Sequence, residues 1–97
     1  MHIISKRRLR EFWAQHPEAK DPLLHWYRVT KKAAWKSLAE ARLDFRHADP
    51  VGTCTVFNIK GNRFRLLTAI HYNTGKVFVM RLLTHAEYDR ADWREGL

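Results

Sequence analysis

Two turn signals constrain this chain more than any other feature. Gly61-Asn62 and Asn73-Thr74-Gly75 divide its second half into three runs rich in β-branched and aromatic residues, roughly 53–60, 63–72 and 76–84. A glycine-first pair suits a two-residue type II′ hairpin turn, and a three-residue loop ending in Gly75 suits a left-handed glycine in a bulge. Turn length sets the strand register, and the register assigns every side chain to a face. Ile59 then opposes Phe64 and Phe57 opposes Leu66. Across the second turn Ile70 opposes Phe78, Thr68 opposes Met80 and Leu66 opposes Leu82. That face is apolar and is expected to pack on helices. The other face receives Asn58, Lys60, Arg63, Arg65, Leu67, Arg81, Leu83 and His85. A two-residue second turn would move Arg81 and His85 to the core side, where an unpaired buried arginine is strongly unfavourable.

The first half has helical spacing. Ser5 suits an N-cap, and Leu9, Phe12, Trp13 and His16 recur at i, i+3, i+4 and i+7. Pro17 closes that helix, because the residue before a proline is pushed out of the α region. Asp21 and Pro22 suit the N-cap and first residue of a second helix, with Leu23, Trp26, Tyr27 and Thr30 as its apolar stripe. Ala34, Leu38, Ala41 and Phe45 continue at helical period beside Trp35, with a break expected near 30–32. His47-Ala48-Asp49-Pro50-Val51-Gly52 reads as a loop. No repeat, low-complexity tract or linker is present. The expected fold is α+β: one domain over 1–97, its N-terminal helices packed on one face of a small twisted antiparallel sheet.

The 97 residues hold 18 Lys plus Arg against 10 Asp plus Glu, a formal charge of +8. Such an excess suits a polyanionic partner, usually nucleic acid. Its distribution is more telling. No acid lies between Asp49 and Glu87, while Lys60, Arg63, Arg65, Lys76 and Arg81 do. With 45% hydrophobic residues, the chain has apolar surface enough for a core, so disorder is not expected. Its apolar runs, such as Val77-Phe78-Val79-Met80, fall far short of the ~20 residues of a spanning helix, so no membrane partner is expected. The single cysteine, Cys54, excludes a disulfide scaffold and points to a reducing, cytoplasmic setting.

Cations clustered without acids suit phosphate, for which arginine offers a planar donor fork and lysine a point charge. With His85 beside them, the set suits RNA cleavage. A base removes the proton of a ribose 2′-OH, whose oxygen attacks the adjacent phosphorus. Cations stabilise the growing negative charge, and an acid protonates the leaving 5′-oxygen. Histidine titrates in the range this proton transfer needs. Tyr88, three residues on, can stack on a base or donate a proton. Plainer roles exist for each residue. A histidine at a strand end is more often structural, Tyr88 can seal a core, and Lys60 and Arg63 can be solubilising. Trp13, Trp26 and Trp35 suit the core, Trp93 suits an anchor for the tail, and Cys54 suits an inert position. The six histidines show no metal-ligand spacing, so neither metal nor cofactor is expected.

Trp35-Lys36-Ser37-Leu38-Ala39-Glu40-Ala41-Arg42, Phe57-Asn58-Ile59-Lys60-Gly61-Asn62-Arg63-Phe64-Arg65-Leu66 and Thr84-His85-Ala86-Glu87-Tyr88-Asp89 together resemble the HigB family of bacterial toxins, within the wider RelE-like group of type II toxin–antitoxin systems. The resemblance covers nearly the whole chain. It implies helices on one side of a twisted antiparallel sheet and a metal-independent mRNA endonuclease acting on translated mRNA at the ribosome. It also implies neutralisation by a helix-turn-helix antitoxin, HigA, with the pair repressing its own operator DNA. By position it supports Lys60, Arg63, Arg65, Arg81, His85 and Tyr88 as site residues. His85 is expected to transfer the proton, Arg65 and Arg81 to hold the scissile phosphate, and Lys60 to assist the 2′-OH or stabilise charge. Arg63 and Asn58 are expected to position RNA, and Lys76 to touch RNA or ribosome at the periphery. Two alternatives stand beside this one: a nucleic-acid binder without catalysis, and a protein-targeting toxin of the same fold that acts on gyrase.

Overall fold

The computed structural model describes residues 1–96. The chain opens with a short strand, β1 (His2–Ile4), and continues through α1 (Lys6–Gln15), a 3-10 turn (Pro17–Ala19), α2 (Lys20–Lys32) and α3 (Leu38–Asp44). Strands β2 (Asp49–Val51), β3 (Cys54–Ile59), β4 (Phe64–His71) and β5 (Lys76–Thr84) follow, then α4 (His85–Asp89) and a 3-10 segment (Ala91–Gly96). The strands form one sheet of order β1-β5-β4-β3-β2.

Helix α1 begins after Ser5, whose backbone is extended, and stops two residues before Pro17, as its spacing predicts. Helix α2 starts earlier than expected. The 3-10 turn runs directly into it, so Asp21 sits in its first turn rather than at its N-cap. A carboxylate there still favours the positive end of the helix dipole. The anticipated break falls after Lys32, and α3 resumes at Leu38 with Ser37 as N-cap, its hydroxyl accepting from the Glu40 N–H at 3.3 Å.

The antiparallel expectation needs two corrections. His2, Ile3 and Ile4 pair in parallel with Lys76, Val77 and Phe78, which makes the sheet mixed. Three residues are too few to show a period, and a parallel pair needs a long crossover, supplied here by the helices and the rest of the sheet. The segment read as a loop at 47–52 contains β2, whose Pro50 opposes Thr55. Proline donates nothing to a ladder, so it is tolerated because β2 is an edge strand.

Register across the first turn is as the glycine pair predicts: Phe57 opposes Leu66 and Ile59 opposes Phe64. Gly61 takes φ +67, and Lys60 beside it is left-handed at φ +54, a conformation rare outside glycine. The second turn is longer than read. His71 pairs with Lys76, which leaves four residues in the loop; Ile70 faces Val77, and Thr68 faces Val79 rather than Met80. A bulge at Met80 then inserts one residue, and from there Leu67 opposes Arg81 and Leu66 opposes Leu82. The one-residue longer loop and the one-residue bulge cancel, so Arg81 and Leu83 reach the expected face. Met80 itself is 43% exposed, not on the apolar side.

Phe57 centres the main core. Its ring meets Trp26 at 5.5 Å, Phe45 at 5.4 Å and Trp35 at 6.2 Å, with Leu9, Leu23 and Leu66 fully buried in the same cluster. The Trp35 indole N–H donates to Asp44 Oδ2 at 2.8 Å, which ties the 33–37 connection to α3. The opposite face has a second, smaller core that the sequence reading missed. Val56, Leu67 and Leu83 are covered there by Trp93, with Val51 and Tyr88 at its margin. Trp93 does anchor the C-terminal segment, and it does so over the face that carries the cations.

Candidate functional site

Thr84 starts the element that carries His85 and Tyr88. Its hydroxyl accepts from the Glu87 N–H at 3.2 Å, and the Glu87 carboxylate accepts from the Thr84 N–H at 2.9 Å. This reciprocal capping box fixes a helix too short to hold itself, and Thr84-x-x-Glu87 is its sequence signature. The Thr84 N–H above all, then the Thr84 hydroxyl and the nearby Arg90 charge, outweigh partial burial and hold the Glu87 carboxyl below the usual carboxylate range. The His85 N–H donates to the Arg63 carbonyl at 2.9 Å, docking α4 on the first hairpin turn.

The half-exposed His85 places Nε2 3.1 Å from Asp89 Oδ2, one helical turn on. That carboxylate orients the imidazole and leaves Nδ1 as the nitrogen free to meet a substrate. Tyr88 is held from three sides. Its ring stacks on Trp93 with centroids 4.9 Å apart, and its carbonyl accepts from the Trp93 indole N–H at 2.7 Å. The Arg65 guanidinium lies 5.0 Å from the Tyr88 ring centre and also donates to the Asn62 carbonyl. Such a contact is worth about 0.5–2 kcal/mol depending on desolvation.

Asn58 opposes Arg65 across β3 and β4, so the two share the face. With Tyr88 and Val56 they form one wall of a cleft of about 360 Å³ whose other wall is Arg42, Arg46, His47, Ala48 and Asp49. A second depression continues from it along Asn58, Arg46, His47 and Ala48 to Phe45 and Gly61. The sequence reading singled out neither Arg42, Arg46 nor His47. Arg42 and Arg46 are spaced by four, but Glu40 and Asp44 interleave with them, and the fold of the 45–48 turn is what brings them opposite Arg65.

The expected set is thus divided. Arg65, Asn58 and Tyr88 converge on the cleft. Arg81 lies around α4 from them, in a hollow lined by Leu83, Glu87, Arg90, Asp92 and Trp93. Lys60 and Arg63 are exposed on the turn that α4 docks against. Lys76 begins β5 opposite His71 and beside His2, at the other end of the strand from Thr84. At ~3.3 Å per residue that is about 25 Å from the His85 end. Cys54 is buried, which pushes its thiol up and keeps it protonated.

A sheet face whose arginine-lined cleft holds one acid, Asp49, together with a braced tyrosine and a carboxylate-paired histidine, has the make-up of a phosphate-handling surface. The comparison with known proteins agrees. The family described as HigB toxin, RelE-like toxic component of a toxin–antitoxin system, matches residues 19–91. The chain belongs to the HigB toxin family. The matched segment runs from the 3-10 turn before α2 past α4, and so contains every cleft residue named above. The chain is similar to the mRNA interferase HigB of Escherichia coli O6:H1 (strain CFT073), 31% identical over 93 residues that cover 93% of this chain and 90% of that protein. It is similar also to the mRNA interferase toxin HigB of Escherichia coli strain K12, 25% identical over 92 residues, covering 92% and 88%. As the toxic half of a toxin–antitoxin system, a HigB toxin has an antitoxin for a partner. Among the described residues no helix is long and apolar enough to cross a membrane.

Proposed function

We propose that this HigB-family chain is an endoribonuclease that cleaves translated mRNA in the cytoplasm, at the ribosome, by side-chain chemistry without a metal. The observation that carries the reading is the convergence of Arg65, Asn58 and Tyr88 on one cleft that three arginines and a single acid line. Arg65 binds the scissile phosphate with one edge of its guanidinium while the Tyr88 ring fixes its plane. His85, oriented by Asp89, takes the proton of the 2′-OH. The 2′-oxygen attacks phosphorus, the bond to the 5′-oxygen breaks, and the Tyr88 phenol or a water protonates that oxygen. A 2′,3′-cyclic phosphate and a 5′-hydroxyl result.

Arg81 contacts a neighbouring phosphate from the far side of α4. Lys60 and Arg63 meet the strand at the hairpin turn, with Lys60 stabilising charge near the 2′-OH. Lys76, at the distant end of β5, is assigned to ribosome contact. A HigA-type helix-turn-helix antitoxin neutralises the toxin, and the complex binds operator DNA through that antitoxin.

Primer extension on cellular mRNA after brief induction tests this reading. Cuts within translated regions in wild type, absent with His85→Ala and Arg65→Ala, support it. Intact mRNA with arrested growth transfers the assignment to a protein-targeting toxin; intact mRNA with normal growth leaves a binding face only.

A further inference from the structure

Two exposed side chains, Arg46 and His47, stand between two anchored residues. Phe45 on one side is fixed in the core by Phe57 at 5.4 Å and Trp35 at 6.0 Å. Ala48 on the other is buried at 2% exposure. The turn is closed by the Ala48 N–H donating to the Phe45 carbonyl at 2.9 Å and braced by Arg42 Nε donating to the Ala48 carbonyl at 2.9 Å. A connection held this firmly presents Arg46 and His47 in one place rather than as a solvated basic loop. Among the described residues the ion pairs are Arg7–Glu11 and His85–Asp89, so the Arg46 guanidinium is not committed to a carboxylate.

Both residues, with Ala48 and Asn58, line the polar cleft that holds Arg65 and Tyr88 and also the depression that leads from it to Phe45 and Gly61. They form the hinge of one continuous groove. Asp49 is the acid on the cleft wall, against Arg42, Arg46 and Arg65, so the cleft keeps a positive balance. Its second limb, bordered by the Phe45 ring and the bare backbone of Gly61, is the less polar of the two.

We infer that Arg46 and His47 form a nucleotide subsite adjoining the scissile linkage, Arg46 pairing with the flanking phosphate and His47 stacking on the base that enters the Phe45–Gly61 limb. The inference rests on the ribonuclease reading above and adds to it the residues that hold the strand beside the cut. Phosphate pairing gives affinity that falls with salt, whereas base stacking does not depend on salt in the same way. The two contributions are therefore separable.

The test is anisotropy titration of a fluorescent, fully 2′-O-methylated oligoribonucleotide of mixed sequence, which lacks the attacking hydroxyl, at several salt concentrations. Arg46→Ala is expected to weaken binding about tenfold and to reduce the slope of log K against log salt by about 0.7, the increment for one phosphate on a single strand. His47→Ala is expected to weaken it about fivefold or more with an unchanged slope, and His47→Phe to restore it. Arg10→Ala, an exposed residue of α1 that lines neither limb of the groove, removes the same charge and is expected to leave both quantities near wild type. Wild-type affinity and slope in both Arg46→Ala and His47→Ala would overturn the subsite while leaving the ribonuclease reading intact. Failure of wild type itself to bind would also overturn the subsite, while the ribonuclease reading stands or falls on the primer-extension result.

Discussion

The guanidinium of Arg65 lies 5.0 Å from the centre of the Tyr88 ring, and that ring is stacked in turn on Trp93. A phosphate-binding cation, an aromatic phenol and a buried indole thus form one contiguous chain of contacts. The cation belongs to the sheet and the two rings to the segment that follows it. What stabilises the second core on this face also aims the site.

Replacing Trp93 should separate those two roles. Trp93→Ala removes a side chain that is 3% exposed and is expected to lower unfolding free energy by about 3–5 kcal/mol in urea titration. Trp93→Phe keeps a ring beneath Tyr88 and loses the indole bond to the Tyr88 carbonyl, for about 1 kcal/mol. RNA cleavage should be largely retained in Trp93→Phe and lost in Trp93→Ala even at temperatures where that variant is folded.

His85 and Asp89 are expected to differ in weight. His85→Ala removes the proton-transfer group and should slow single-turnover cleavage about 10²–10⁴-fold with little effect on stability, since the side chain is half-exposed. Asp89→Asn leaves the imidazole in place and weakens only its orientation, so its loss of rate should be smaller by at least tenfold. Equal losses would mean that the carboxylate itself touches substrate.

Acid should loosen α4 before the core yields. The Thr84 N–H holds the Glu87 carboxyl below its ordinary range, near pH 4.3 in an unfolded chain, so the folded state binds this proton less readily. The stabilisation is therefore complete above that range and is lost as pH falls through the lower folded-state value. Protection of the α4 amides, relative to the unstructured exchange rate at each pH, should fall below about pH 4, and Glu87→Gln should flatten that dependence. Thr84→Ala, which removes the other half of the capping box, should cost about 1 kcal/mol at neutral pH.

Met80 offers a test of register. Its side chain is exposed, so Met80→Ala should change stability by less than about 0.5 kcal/mol. Deleting the residue removes the bulge and leaves Arg81 opposite Leu67 in an unbroken ladder, so Arg81 and Leu83 keep their face. Cleavage should survive the deletion with a modest change in urea midpoint; its loss would mean that the bulge itself shapes the site.

Much of this was legible in the residues. The Gly61-Asn62 pair correctly gave the pairing of Phe57 with Leu66, and with it the polar face shared by Asn58 and Arg65. Three helical segments followed from apolar spacing around Leu9, Trp26 and Ala41. The second turn was misjudged by one residue, because a four-residue loop and a three-residue one share the same Asn-Thr-Gly signal, and a bulge at Met80 has none. Strands β1 and β2 are too short to show a period, and Pro50 argues against a strand until its edge position is known. Arg42, Arg46 and His47 join the cleft only through the tertiary placement of α3 against Phe57. The split between Arg65 and Arg81 was hidden for a similar reason. A face assignment says which side a residue is on, but not that α4 stands between two of them.

The parallel pairing of His2–Ile4 with β5 sets an order of assembly. His2 pairs with Lys76 from the opposite end of the sequence, and Tyr88 and Trp93 follow later still along the chain. Contacts between such distant parts of a sequence close late, after the loop-closure entropy has been met. The sheet and its cationic side chains lie before residue 85, whereas the Arg65–Tyr88 contact and the His85–Asp89 pair both need α4. A cationic face can therefore form without a site, and the site is complete only once the segment that ends in Trp93 has docked on it.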